Sequence, residues 1–281
     1  MADPQERRHG PAPSRRRRLT GFLALFLVAH LLLPLLGVLD VMPWSAVLAS
    51  LVALHLGLLY GSLWPRSRLL GPNLVEIAAQ DHGGERVYLT FDDGPDAGVT
   101  SQVLDILQAS GTCASFFVVG EKVSRSPHLV RRMVAAGHRL ENHSQSHLKR
   151  FSLLTPWRMG REIDEAQATI HKEAGRLPAY FRAPAGLRSP WLLPLLERRG
   201  LELVTWTRRG FDAVSRDPDR VLARLSRGLN AGDILVLHDG GAALSADGRP
   251  VILHVLPRLL RLLREKNLQP APLPTSRAFT S

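Results

Sequence analysis

The chain has 281 residues, 45% of them apolar, which allows one or two domains with a sizeable core and a membrane segment besides. Its formal net charge of +11 is carried almost entirely by Arg; this favours anionic partners, and without aromatic-basic interleaving nucleic acid is not among those expected. The single cysteine, Cys113, excludes an internal disulfide, and its apolar surroundings predict a buried structural thiol.

Residues 1–18 are polar and basic, and a cytoplasmic N-terminus is predicted for them. Residues 19–39 then run without a charge, and after Asp40 a second uncharged run covers 41–65. Each run is long enough to cross a hydrocarbon core of about 30 Å as a helix. The short turn near Asp40 and Pro43 predicts a transmembrane hairpin over 19–65, with a cleaved signal peptide as the alternative. His30 and His55 fall inside these runs and are assigned no function. Arg residues precede the first run and follow the second, so the positive-inside rule places both ends in the cytoplasm. That makes a multi-pass protein of the inner membrane with a cytoplasmic soluble domain. A periplasmic domain is the alternative.

Residues 66–85 read as a linker, because they contain Gly71-Pro72 and Gly83-Gly84. The soluble domain is placed at 86–281. Strands are predicted at 87–91, 114–119, 138–141, 180–182, 201–206, 234–237 and 268–273. Helices are predicted at 100–110, 128–136, 157–173, 190–199, 218–229 and 252–265. Strands separated by helices imply parallel pairing through right-handed crossovers. The fold class is therefore α/β, a distorted (β/α) barrel of about seven parallel strands, with a doubly wound open sheet as the runner-up.

Polar residues cluster just after the strand ends, where α/β barrels place their active sites. Asp92-Asp93-Gly94-Pro95 is the first cluster; one carboxylate there can bind a metal while the other accepts a proton. His143 and His147 are spaced i, i+4, and reach one ion if the segment makes a helical turn. With Asp93 they form an Asp-His-His set suited to Zn²⁺ and other divalent transition metals. Arg182 can hold a carboxylate by a bidentate contact. Pro184 and Gly186 can aim a backbone N–H into the site. Trp206 to Asp212 is the fourth cluster, and an apolar strand ending at His238 carries the fifth. His82, His128, His138 and His171 show no matching partners.

These five clusters, in this order over roughly 86–274, resemble the polysaccharide deacetylase family, the NodB-like carbohydrate esterases. The resemblance implies a distorted β/α barrel and a hydrolase acting on non-peptide carbon–nitrogen bonds. It implies that Asp93, His143 and His147 bind one divalent ion: Zn, with Co, Ni and Mn as the other candidates. Asp92 is implied as general base, Arg182 as its orienting partner, His238 as general acid and Asp212 as the residue tuning it. The backbone N–H of Ala185 is implied as an oxyanion donor.

The sequence departs from the family pattern around the acyl pocket. Ala213 stands where a Trp is usual, Val236 where Leu is usual, and Ala185 where an aromatic is usual. The resemblance implies a substrate pocket lined by Ala213, Val236, Phe211 and Pro184, roomier at the two smaller residues Ala213 and Val236 unless Phe211 folds over the gap. The predicted substrate is an N-acylated aminosugar, acetyl or formyl, polymeric or lipid-linked. Membrane lipids are the other expected partner. A cytoplasmic domain reaches a lipid-linked aminosugar; a periplasmic one reaches peptidoglycan or exopolysaccharide. A non-catalytic, membrane-anchored sugar-binding protein and a hydrolase of non-sugar amides are the remaining alternatives.

Overall fold

The computed structural model describes residues 21–64, 66–78 and 84–274. The basic segment 1–18, residues 79–83 of the expected linker and residues 275–281 lie outside the described residues. Two helices open the chain, α1 (Gly21–Val38) and α2 (Trp44–Leu63), of 18 and 20 residues. At 1.5 Å per residue they are about 27 and 30 Å long, enough to cross a hydrocarbon core. The turn falls at Asp40, whose φ is 54°, and α2 starts directly after Pro43. The helices pack closely because small residues face rings: a Cβ at Gly57 would lie 3.1 Å from Phe22. His30 and His55 each turn Nδ1 to a carbonyl one turn back, Phe26 O and Leu51 O. Their rings meet at 5.0 Å between the helices. Outside this seam, large apolar side chains such as Leu31, Leu35, Leu48 and Leu56 are exposed.

The soluble part is a curled parallel sheet. Its strands are β1 (Arg86–Asp92), β2 (Ser115–Val118), β3 (Arg139–Asn142), β4 (Tyr180–Phe181), β5 (Glu202–Leu203), β6 (Arg208–Arg209), β7 (Ile234–His238) and β8 (Gln269–Ala271). The order is β5-β4-β3-β2-β1-β7-β6, with β8 added beside the start of β1, and every pairing is parallel. This is the predicted distorted barrel, left open between β5 and β6. Around it lie α3 (Val99–Ala109), α4 (Gly120–Arg125), α5 (Pro127–Ala135), α6 (Pro156–Ala174), α7 (Leu192–Glu197), α8 (Pro218–Ser226) and α9 (Val251–Glu265). Successive strand side chains alternate between faces. Val87, Leu89 and Phe91 of β1 and Leu235 and Leu237 of β7 point outward, into the core shared with α3, α5, α8 and α9. Tyr88, Phe117, Tyr180, Val204 and Ile234 point inward and fill the barrel floor. The same alternation sends Thr90, Asp92 and His238 inward at the top.

The structure corrects several expectations. The segment expected to be a linker docks on the barrel over 66–78. Leu74 N–H donates to Leu203 O, and Thr205 N–H donates to Leu74 O, extending the sheet beyond β5. Leu70 and Ile77 are buried. Its Gly-Pro pair resembles a linker, but its apolar residues find the open edge of the barrel, where unpaired backbone groups need partners. The short elements α4 and β6 were not foreseen; β6 is a two-residue strand inside a polar cluster. Cys113 is half-buried rather than buried, with Sγ 3.4 Å from Ala136 O.

Candidate active site

The five predicted clusters converge at the C-terminal rim of the sheet. β1 delivers Thr90 and Asp92 inward, and Asp93 follows in a left-handed conformation, φ 70°. Ser144 (66°), His147 (50°), Ala185 (58°) and Phe211 (62°) share that conformation, which costs a side-chain-bearing residue about 1 kcal/mol or more. Strained backbone is thus concentrated in the loops that carry the site. The approach is also tight: a Cβ at Gly240 would lie 2.2 Å from Asp93 O.

Asp93, His143 and His147 come together. Asp93 Oδ1 lies 3.1 Å from His143 Nε2 and 2.9 Å from His147 Nε2, and the three ligand atoms all lie within 4.8 Å of one another. The expected helical turn between the two histidines is absent. Instead Ser144 N–H donates to Asn142 Oδ1 and His147 N–H to Ser144 Oγ, and the two positive φ values turn both rings to the same side. His143 Nδ1 donates to Arg182 O at 2.8 Å, since a carbonyl can only accept. His143 Nε2 and His147 Nε2 both face the Asp93 carboxylate, an arrangement that one cation shared by the three would satisfy. Ligand atoms sharing a tetrahedral Zn²⁺ sit about 3.3 Å apart, so the donor set fits such an ion. Burial tends to raise the Asp93 carboxyl, but hydrogen bonds and charge from His143 and His147 outweigh it and hold the group well below the usual carboxylate range.

Asp92 takes a different partner. Arg182 Nη1 is 2.6 Å from Asp92 Oδ1 and 2.7 Å from Thr90 Oγ1, while Nη2 donates to Thr205 O at 2.9 Å. The contact is single rather than the expected bidentate fork, because Thr205 claims the second amine. Arg182 is fully buried, with its guanidinium 4.0 Å from the centre of the Phe117 ring. A charge so enclosed is stable only when paired, and Asp92 is the carboxylate that pairs with Arg182.

His238 Nδ1 is 2.8 Å from Asp212 Oδ1, and its backbone N–H donates to Asp212 Oδ2 at 2.7 Å. Both carboxylate oxygens are thus committed to one residue, and Asp212 is wholly buried. Burial alone lowers the imidazole, but the Asp212 hydrogen bond and charge, with Asp92 and Asp93 beyond, push it up to about 9. The ring is a cation at neutral pH.

Ala185, the expected oxyanion donor, is exposed on a strained turn over Pro184–Gly186, while Pro184 and Val236 of the expected pocket are buried. Trp206 backs this turn: a Cβ at Gly186 would lie 2.4 Å from its ring. Phe211 does not fold over the gap beside Ala213. It is 43% exposed, with the Arg209 and Arg224 guanidiniums 4.9 and 5.4 Å from its ring centre. Sequence reasoning placed Thr90 in the first motif without a role, and missed Thr205 and Lys122, whose Nζ donates to Asp93 O at 2.6 Å. It also left Asp239 unassigned; this buried carboxyl, pushed up to about 7 by burial, accepts from Thr100 Oγ1. Only the first of these, inside the strand before Asp92, carried any sequence signal: a polar inward position in an otherwise apolar run. Of the histidines set aside, His138 accepts the Ala114 N–H and is lowered to about 4 by burial, a structural role.

The family model for polysaccharide deacetylase matches residues 79–204. A chitooligosaccharide deacetylase of Bradyrhizobium sp. (strain ANU 289) is 33% identical over 199 residues, covering 68% of this chain and 90% of the relative. A peptidoglycan-N-acetylglucosamine deacetylase of Bacillus cereus is 31% identical over 157 residues, covering 55% and 73%. A family 4 carbohydrate esterase from Streptomyces lividans, solved in complex with acetate, superposes with a TM-score of 0.60 at 31% identity, covering 66% of this chain and 92% of that one. The matched model ends before Asp212 and His238, but the relatives' coverage and the closed geometry of both halves agree: the chain belongs to the polysaccharide deacetylase family of hydrolases.

Proposed function

We propose that this protein removes an N-acyl group, acetyl or formyl, from an aminosugar by metal-assisted hydrolysis. The observation that carries this reading is the placement of two oppositely tuned groups around one donor set: an Arg-paired carboxylate, Asp92, and a cationic imidazole, His238. Asp93, His143 and His147 hold one divalent ion, Zn or else Co, Ni or Mn. When bound, such an ion polarises the acyl carbonyl and lowers the pKa of water. Asp92 takes a proton from the attacking water, and Arg182 orients that carboxylate. The Ala185 N–H stabilises the oxyanion that forms as water adds to the carbonyl carbon. His238 gives its proton to the nitrogen as the carbon–nitrogen bond breaks, so the amine leaves neutral. The products are a carboxylic acid and a free aminosugar.

The finer reading is a lipid-linked aminosugar at the cytoplasmic face of the inner membrane. Its support is a clamp between the hairpin and the third motif. Arg188 N–H donates to Ser62 O at the end of α2, and its buried guanidinium donates to Ser67 O and Gly71 O. The loop bearing Ala185 is thereby held beside the apolar hairpin, where membrane-borne substrate arrives. The relatives named chitooligosaccharide deacetylase and peptidoglycan-N-acetylglucosamine deacetylase favour a second reading, an N-deacetylase of peptidoglycan or exopolysaccharide.

The test is acid release by the full chain in detergent from acetyl and formyl aminosugars, free, polymeric and polyprenyl-phosphate-linked, with metal content measured alongside. Release that disappears in Asp93→Ala with the metal supports the hydrolase. Absence of release from every substrate by metal-loaded protein overturns it. A reporter fused after Ser281 decides the side of the membrane.

A further inference from the structure

Beside the proposed catalytic centre, on the far side of Trp206, lies an open pocket of about 530 Å³. Trp206 and Phe211 form its aromatic walls; Arg208, Arg209, Arg224 and Arg227 supply the rest of its character. No Asp or Glu lines it. Four guanidiniums around one space repel each other, and Asp233 neutralises only one of them: Arg208 Nε is 2.9 Å from Asp233 Oδ2. The Arg208 amines are also spent, donating to Arg227 O and Gly228 O. Arg208 is therefore a strut. The other three have no carboxylate partner among the described residues.

Arg209 is the most informative of them. Its guanidinium lies 5.0 Å from the Trp206 ring centre and 4.9 Å from that of Phe211, so its position is set by two aromatic faces. Its Nε is buried and has no hydrogen-bond partner among the described residues. A buried donor left unpaired is costly, and planar guanidiniums match the oxygens of phosphoryl groups. Arg224 crosses the outer face of Phe211, its Nη1 only 3.4 Å from Gly210 O, and Arg227 is exposed at the end of α8. Trp206 is common to the pocket and the catalytic centre, since it also backs Gly186 and lies 5.9 Å from the Arg182 guanidinium.

We infer that this pocket is an anion subsite, in which Arg209, Arg224 and Arg227 bind a phosphoryl group carried next to the sugar whose amide is cleaved. The inference rests on the aminosugar reading above and adds to it a phosphoryl group bound beside the sugar. The phosphoryl group belongs either to the substrate itself or to a neighbouring lipid headgroup.

The full chain, in nanodiscs of neutral phosphatidylcholine, is titrated calorimetrically with N-acetylglucosamine 1-phosphate and with unphosphorylated N-acetylglucosamine. The phosphorylated sugar is expected to bind at least about tenfold more tightly, a difference near 1.4 kcal/mol. Arg224→Ala combined with Arg227→Ala, both on the exposed side of α8, is expected to erase that difference without changing the melting temperature. Arg209→Lys is expected to weaken it while keeping the charge. Asp93→Ala is expected to keep it, because phosphate binding does not need the catalytic ion. Equal affinity for the two sugars, or an unchanged preference in the double variant, overturns the subsite. If the preference stands and no N-acyl substrate is cleaved, the subsite survives and the hydrolase reading falls. Phosphatidic acid added to the same nanodiscs identifies the source: displacement of the sugar phosphate points to a lipid headgroup, and its absence to phosphate on the substrate, with the subsite supported in either case.

Discussion

Asp92 and His238 are register partners across the parallel pair β1–β7, the last residue of each strand. Both side chains face the barrel interior, so a carboxylate and an imidazolium stand opposite one another above the same floor. Arg182 pairs with the first, and Asp212 holds the second protonated. Hydrogen-bonding each group to its own buried partner keeps the two from simply neutralising each other.

The alkaline limit follows from His238. Its folded pKa, about 9, lies above the ordinary value of 6.5, so the protonated acid is lost as pH rises through about 9. A plot of kcat/KM against pH is expected to fall there. Asp212→Asn removes the largest support and is expected to move that limb to lower pH. The linked stability has the same sign: it is full below about pH 6.5 and disappears as pH climbs through about 9. Melting curves across that window test it.

Asp92→Asn keeps the shape and removes the base. A loss in kcat of about 10²–10⁴-fold is expected, with metal content unchanged. It also leaves Arg182 buried without its counter-charge, which costs about 3–5 kcal/mol in comparable cases. A melting temperature that does not drop would contradict the pairing described above.

His147→Ala opens the donor set from its more exposed side. Metal analysis is expected to show loss of most bound ion, and the variant is expected to lose the rise in melting temperature that Zn²⁺ gives the wild type. Saturating ligand at about 100 times its Kd stabilises by about 2.7 kcal/mol, which sets the scale of that rise.

Gly240→Ala tests the close approach behind Asp93. Its methyl group would meet a backbone oxygen rather than a mobile side chain, so Asp93 must shift. The expected cost is about 1–3 kcal/mol of stability, as in other overpacked sites, together with weakened metal binding. Denaturant unfolding and metal titration of the same variant separate the two effects.

Arg188→Ala tests the clamp on the hairpin. It deletes two charge-assisted hydrogen bonds from a buried group, each worth about 1.5–3 kcal/mol in measured series. Proteolysis within 66–78 is expected to accelerate while the barrel core stays protected.

Much of the fold was legible locally because its signals are local. Short apolar runs at 87–91 and 234–237, each ended by polar residues, identify strands, and helix-spaced apolar residues in 157–173 identify α6. The two uncharged runs identify α1 and α2 for the same reason. The chemistry was legible because the polar clusters sit at strand ends and, in their order, resemble the polysaccharide deacetylase motifs, so Asp92, Asp93, His143, His147, Arg182, Asp212 and His238 could be named before their meeting was seen.

What the tertiary structure alone decided are approaches between segments distant in sequence. Thr90 and Thr205 flank Arg182 only once β1, β4 and the strand after 201 have curled together, and that sharing is why the Asp92 contact is single. Residues 66–78 read as linker because Gly-Pro is a local signal, whereas the open barrel edge that captures Leu74 is not. The direction taken by Phe211 depends on Arg209 and Arg224 lying on either side of its ring, and the Arg-lined pocket exists only where β6 meets α8. A one-dimensional pattern reports which face a residue occupies; the partner on that face is set by packing, which no window of sequence contains.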